Sequence, residues 1–351
     1  MSYIQTVVGR LSPIQTGIAL IHEHVLFDLT CLYSTPAPSD AHQTDSRVSL
    51  SSLGWIRTHA YNSRDNLYLQ DTSVATAELV RFKRAGGGLI ADVSSASIGR
   101  NPEGLRQVSK ASGIPIVMGC GHYVASSHPP RVKSANVDEV ADEMSRDITI
   151  GVNGTGIRAG VIGEIGLSAP AHPDEVKCLQ AAAVAQERTG AAIIVHSPGG
   201  HDGPFHVADL LENAGADPSR VVVSHLDARF WSDISSYTRL ASRGFNLGVD
   251  TFGRDIYIDF LKTQLPSDTS RIEVVKSLCD LGLQGQVVLS QDICLKMELS
   301  SFGGHGHGHI LENLWGRLID AGITQEDLEH MLTTNPQRLL TMPDDPGTRT
   351  G

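Results

Sequence analysis

Short apolar runs recur along this chain, spaced by segments of helical period. In order they are IALIHEHVLF (18–27), GLIADVS (88–94), IPIVMGCG (114–121), GVIGEIG (160–166), AAIIVHS (191–197), RVVVSHL (220–226), FNLGVD (245–250) and QVVLSQD (286–292). Between and after them lie TAELVRFKRAGG (76–87), DEVKCLQAAAVAQERTG (174–190), FHVADLLENAG (205–215), DTSRIEVVKSLCDLG (268–282) and ILENLWGRLIDAG (310–322). Near-continuous hydrophobic strands alternating with helices predict an α/β fold, specifically a distorted (β/α)8 TIM barrel. No Gly-rich turn of dinucleotide or P-loop spacing follows the first strand, which argues against a doubly wound open sheet. One domain is expected over residues 1–351, with a long polar loop insertion after strand one, residues 28–74. A short helix is expected there around 51–60, and a loop in that place overhangs the barrel mouth as a lid.

The polar residues then fall into a pattern. His22 and His24 stand two apart near the end of strand one, so both face one side. Glu164 sits near the end of strand four, His196 ends strand five, His225 strand six and Asp292 strand eight. A lone strand-end carboxylate is commonly a helix cap or an ion-pair partner. Six ligand-type residues in step with the barrel alternation converge on one mouth and predict a metal site. Four imidazoles and two carboxylates suit Zn2+, with Mn2+, Co2+ or Fe2+ also compatible. Six ligands exceed one open tetrahedral site and predict two divalent metal ions roughly 3.5–4 Å apart. Glu164 is the expected bridge, with His22, His24 and Asp292 on one ion and His196 and His225 on the other.

Composition narrows the partners. The 351 residues carry a formal net charge of −11 and no Lys/Arg cluster, so neither nucleic acid nor an anionic membrane is an expected partner. No apolar run is long enough to span a membrane, and the N-terminal stretch lacks a signal-peptide core. Five cysteines without a C-x-x-C fit a reducing, cytoplasmic setting and leave any metal to His and carboxylates. The expected partner is a small-molecule substrate, and a homodimer is left open.

These residues resemble the phosphotriesterase-related family of the amidohydrolase superfamily. The matching pieces are HEH at 22–24, IGEIG at 162–166, VHSPGG at 195–200, VVSHLD at 222–227, SQDICLK at 290–296, FGGHGHGHIL at 302–311 and TTNPQRLL at 333–340. The resemblance covers essentially the whole chain and implies a binuclear hydrolase. Phosphotriesterases proper bridge their metals with a carboxylated lysine on strand four; the matching position here is Glu164, and Lys177 lies well past the strand. The resemblance implies a metal-bridging hydroxide attacking the carbonyl of a lactone or carboxylic ester, with an N-acyl amide or an organophosphate triester as the alternative. A barrel that binds without turnover is disfavoured by the filled ligand set. Asp292 is the expected general base. Asp227 is expected either to relay a proton or to orient an imidazole. Tyr123, Arg229, Arg254 and Lys296 follow strands three, six, seven and eight and are the expected substrate contacts, with Arg100 a further cation. Several cations at one mouth predict an anionic group on the substrate. His305, His307 and His309 lie in a Gly-rich loop and are read as loop and helix-start residues, with His307 a possible pocket residue.

Overall fold

The computed structural model describes residues 2–258 and 262–343. Eight parallel strands form its centre: β1 (Ile18–Glu23), β2 (Gly87–Asp92), β3 (Ile116–Cys120), β4 (Val161–Gly166), β5 (Ile193–His196), β6 (Val221–Ser224), β7 (Asn246–Val249) and β8 (Val287–Leu289). They pair in chain order from β1 to β8. At the seam between the two ends, Asp292 N–H donates to the His22 carbonyl and His24 N–H to the Ile293 carbonyl, each at 3.1 Å. The sheet is thereby drawn into a barrel.

Alternation along the strands sorts the apolar residues into two layers. Ala19, Ile21, Leu89, Ala91, Val117, Val161, Ile194, Val222 and Val288 fill the barrel interior. Leu20, Ile90, Ile116, Ile162, Ile193, Val223 and Leu247 face the surrounding helices. Those helices include α1 (Thr72–Arg84), α2 (Pro102–Ser112), α3 (Val137–Thr149), α4 (Pro173–Thr189), α5 (Gly203–Asn213), α6 (Ile234–Ser242), α7 (Asp268–Asp280) and α8 (Trp315–Asp320). Their ends follow local chemistry. Asn136 and Glu139 form a capping box on α3, and α4 stops at Gly190, whose φ of 72° suits a residue without Cβ.

Two strands break the alternation where the site begins. The register slips by one residue between Leu20 and Glu23 on β1, and between Ile162 and Ile165 on β4. These are β-bulges, which re-aim a side chain without ending the strand. Ile21 lies in the interior and His22, its neighbour, faces the same space; Glu164 turns inward in the same way.

Several expectations need correction. The first strand ends at Glu23 rather than Phe27, because Asp92 accepts from Val25 N–H (2.7 Å) and Leu26 N–H (3.2 Å) and bends the chain outward. Phe27–Asp28 then pairs antiparallel with Tyr68–Leu69. Within the insertion the α-helix covers Leu53–Ile56 rather than all of 51–60. The helical run after strand eight begins with a π-helical turn at Ile310–Leu314. Periodicity also gave no hint of the three-stranded antiparallel sheet of Tyr3–Thr6, Gly9–Leu11 and Thr341–Met342. Its fully buried Ile4 joins the interior cluster and closes the end of the barrel opposite the site.

Arg271 of α7 has no exposure and donates to Asp227 at 2.7 Å, to Asp268 at 3.1 Å and to the Arg254 carbonyl at 2.8 Å. It fastens α7 to the loops after β6 and β7. Changing Arg271 to Met leaves Asp227 buried without a counter-ion, and is expected to cost about 3–5 kcal/mol of unfolding free energy. Urea denaturation checks this; a loss well under 1 kcal/mol would show the pair is not needed.

Candidate metal centre

His22, His24, Glu164, His196, His225 and Asp292 meet at the C-terminal mouth of the barrel. Glu164 is central. Its Oε2 lies 2.8 Å from His196 Nδ1, 3.5 Å from His225 Nε2 and 3.7 Å from His22 Nε2, while its Oε1 faces His24 Nε2 at 3.5 Å. The two carboxylate oxygens thus address different imidazoles. Asp292 Oδ1 lies 3.3 Å from His24 Nε2 and 3.8 Å from His22 Nε2.

Three imidazoles are held from behind by Nδ1, which leaves Nε2 for the centre. His24 Nδ1 meets Ser94 Oγ at 3.0 Å. His22 Nδ1 meets Ser224 Oγ at 2.8 Å and faces Asp250 Oδ2 at 3.1 Å. His225 Nδ1 meets Asp250 Oδ1 at 2.9 Å, and its backbone N–H donates to the same oxygen at 2.8 Å. His196 is set differently, its Nδ1 turned inward to Glu164 and to His225 Nε2 at 3.0 Å. His225 and Asp292 adopt positive φ of 62° and 51°, and both sit just past the strands that deliver them. Such backbone is unusual for residues with a Cβ and is common at functional sites.

The donor set fits divalent metal. His22, His24 and Glu164 place ligand atoms within 4.8 Å of one another, and so do Glu164, His196 and His225. His22 Nε2 is buried with no hydrogen-bond partner among the described residues, an arrangement that costs free energy unless something else fills the role. The charges respond accordingly. Burial would lower the pKa of His24, but bonds to Asp292 and Glu164 outweigh it and bring it up to about 9. His225 likewise reaches about 9 against burial, through Asp250 and Glu164, and His22 is raised by Asp250 and Glu164. Glu164 is held well below the usual carboxylate range by the surrounding imidazoles, His196 foremost, despite its burial. Asp292, also buried, is brought down to about 2 by Arg254 and His24.

Asp250 is the residue that sequence reasoning missed. It ends FNLGVD, so the same strand-end signal marks it; it is fully buried between His22 and His225. Asp227 is tied to α7 and the loop after β7: its Oδ2 accepts from Arg271 and Thr251. His307 lies behind the centre, buried, with Nδ1 3.3 Å from Glu23, and is absent from the cavity lining. His309 begins the π-turn and meets Asp268 at 2.8 Å. Lys177 bonds the Val132 carbonyl and Asp174 on the outer layer.

A cavity of about 650 Å³ opens onto the centre. His196, His225 and Asp292 form its floor, and its walls are mostly apolar, including Leu32 and Tyr61 from the insertion, Leu167, Ile258 and Leu265. The insertion therefore does overhang the mouth. Tyr123 lines the cavity with its hydroxyl 3.4 Å from His196 Nδ1. Arg229 lines it too. Its Nε and Nη2 donate to the carbonyls of Ser197 and Pro198, and among the described residues no carboxylate lies within ion-pair distance. Arg254 also reaches the cavity, but its guanidinium is occupied by Asp292 (2.5 Å) and Glu298 (2.7 Å), so it is a partner of Asp292 rather than a free anion site. Lys296 lies outside the lining, its ammonium 2.6 Å from Asp65 of the insertion. Arg100 pairs with Asp147 at 2.8 Å, also away from the cavity.

A family model, that of the phosphotriesterase family, matches residues 2–340. The N-acetyltaurine hydrolase of Salmo salar is 36% identical over 342 residues, covering 96% of this chain and 97% of that protein. Among solved structures, a resiniferatoxin-binding protein from Rhodobacter sphaeroides superposes with a TM-score of 0.94 at 34% identity, over 96% of this chain and 94% of that one. A variant of a PTE-like lactonase from Deinococcus radiodurans gives 0.75 at 28% identity, over 96% and 99%. The family is one of binuclear metal-dependent enzymes, its match spans nearly the whole chain, and His and carboxylate groups cluster within metal-ligating reach of one another: this chain belongs to the phosphotriesterase family and is a metal-dependent hydrolase.

Proposed function

We propose that this chain hydrolyses the amide bond of a small N-acyl compound carrying an anionic group, at two divalent ions held by His22, His24, Glu164, His196, His225 and Asp292. The observation that carries the substrate reading is Arg229, a half-buried cation among mostly apolar cavity walls, with no carboxylate partner among the described residues. An anion there gains a charge-assisted hydrogen bond that no described carboxylate already takes. Sequence alone put the lactone or carboxylic ester first. The amide moves ahead because a relative 36% identical is named for N-acetyltaurine, an acetamide with a sulfonate, while the lactonase stands at 28%. Zinc is the metal that the His-rich set suits best.

Two divalent ions would supply Lewis acidity at the scissile carbonyl and lower the pKa of water to about 7. The chain's residues do the rest. Glu164 stands among all four imidazoles, Oε2 toward His196, His225 and His22 and Oε1 toward His24, and is an anion without needing dissolved CO2. Arg254 fixes Asp292 Oδ2 and leaves Oδ1 toward the histidines. Asp292 is ionised at neutral pH and can accept a proton as the nucleophile attacks; its depressed pKa favours passing that proton on to the leaving nitrogen. Burial pushes the Tyr123 phenol up, so it stays a hydrogen-bond donor beside His196. Arg229 orients the anionic end of the substrate.

A hydrolysis screen of metal-loaded protein over N-acyl amino acids and sulfonates, lactones and phosphotriesters tests the reading. The anionic N-acyl compounds should give the highest kcat/KM; a lactone turned over faster would overturn the choice of bond. Changing Arg229 to Ala should raise KM for an anionic amide about 10- to 150-fold, equivalent to about 1.5–3 kcal/mol, while sparing a neutral one. Equal losses on both would assign Arg229 to loop structure.

Metal uptake should also move protons. Without a metal ion, bonds to Asp292, Glu164 and Asp250 outweigh burial and bring His24 and His225 up to about 9, so both carry a proton at pH 7.5 and must lose it to bind a cation. Affinity should therefore rise with pH up to about 9 and fall as pH drops below it. Loading the apo-protein at pH 7.5 in weak buffer should release two to three protons per chain, the third from His22, which Asp250 and Glu164 also raise. Loading without acidification would contradict the imidazole assignment.

A further inference from the structure

The metal centre straddles the barrel's seam. His22 and His24 belong to β1, whereas Asp292 lies three residues beyond the end of β8, in a left-handed conformation. The geometry across this gap cannot come from a long regular ladder, since β8 ends at Leu289. Glu23 supplies the link. Past the bulge on β1, alternation sends Glu23 away from the cluster that its two neighbours face. Its fully buried carboxylate reaches across to the chain after β8. Oε1 accepts from Ser290 Oγ at 2.7 Å and from Gln291 N–H at 2.8 Å; Oε2 accepts from Ile293 N–H at 3.0 Å and faces His307 Nδ1 at 3.3 Å. The amides immediately before and after Asp292 are thus bound by one side chain. Gln291 in turn bonds the Gly306 carbonyl (3.0 Å) and Ile310 N–H (3.1 Å), which ties the Gly-rich loop to the same support.

We propose that Glu23 is a positioning residue that sets Asp292 against His22 and His24 across the barrel seam. The inference rests on the reading of Asp292 as a ligand and proton acceptor. A buried carboxylate with this many directed bonds fixes its partners closely, because each N–H left without it would be an unsatisfied buried donor. Glutamine cannot substitute fully. Its amide keeps one acceptor but turns an NH2 donor toward either Gln291 N–H or Ile293 N–H.

The test is a double-mutant cycle of Glu23→Gln and Asp292→Asn, read by kcat, KM, chelator competition for bound metal and the melting temperature of the apo-protein. Glu23→Gln should lower kcat about 10- to 100-fold with KM little changed, and weaken one of the two bound ions about 10-fold, as outer support of a metal site does. In the Asp292→Asn background the same change should cost less than about 2-fold, because the group it positions is already gone. Multiplicative losses in the double variant would overturn the positioning role, as would a lowered melting temperature with kcat and metal affinity intact. Asp292→Asn with full activity would instead overturn the reading of Asp292 itself, a distinct result. If Glu23→Gln does not fold, Glu23→Asp, which keeps the charge and shortens the reach by one methylene, completes the same cycle and is expected to show the same lack of additivity.

Discussion

Burying His22, His24, His225, Glu164, Asp250 and Asp292 together is the constraint on which the rest of this structure depends. Each is nearly excluded from water. An ionised group in that position is tolerable only with a counter-charge and directed hydrogen bonds. Asp250 serves two imidazoles at once, Glu164 four, and Arg254 neutralises Asp292 while Glu298 completes its own pairing. The imidazole nitrogens that point away from the centre are tied down by Ser94, Ser224 and Asp250. Each of these imidazoles is thereby held in one orientation with Nε2 toward the centre, as metal ligation requires.

The barrel was legible because its strands are buried on both faces and read as nearly unbroken apolar runs. The six ligand-type residues were legible because strand ends in a barrel converge, so position in the alternation stands in for position in space. Asp250 carries that same mark at the end of strand seven and went unread beside its apolar run. Period-two reasoning could not see the bulges on β1 and β4, and these are what turn His22 and Glu164 inward. Roles that depend on distant partners were out of reach. Lys296 looked like a pocket cation until Asp65 of the insertion met it, and Arg254 until Asp292 and Glu298 did. Arg229 follows a strand in the same way, yet its guanidinium meets main-chain carbonyls and no described carboxylate.

The Glu164 bridge and the cavity divide the labour in the proposed chemistry. Glutamate is an anion at neutral pH, and its Oε2 faces His196, His225 and His22 while its Oε1 faces His24. The centre can thus be assembled without a carboxylation step. The cavity above it is closed on one side by the insertion after strand one, through Leu32 and Tyr61, and carries Arg229 on the loop after β6. Reaction type follows from the floor of this cavity and substrate choice from its walls, the usual division in a barrel whose loops vary over a fixed frame.

The central claim is that one centre holds two ions on a shared glutamate. Elemental analysis of the purified, fully active protein, with protein concentration fixed by amino-acid analysis, tests it most directly. The account predicts close to two divalent ions per chain, falling to one or fewer when Glu164 is changed to Gln. A reproducible value near one at full activity would contradict it.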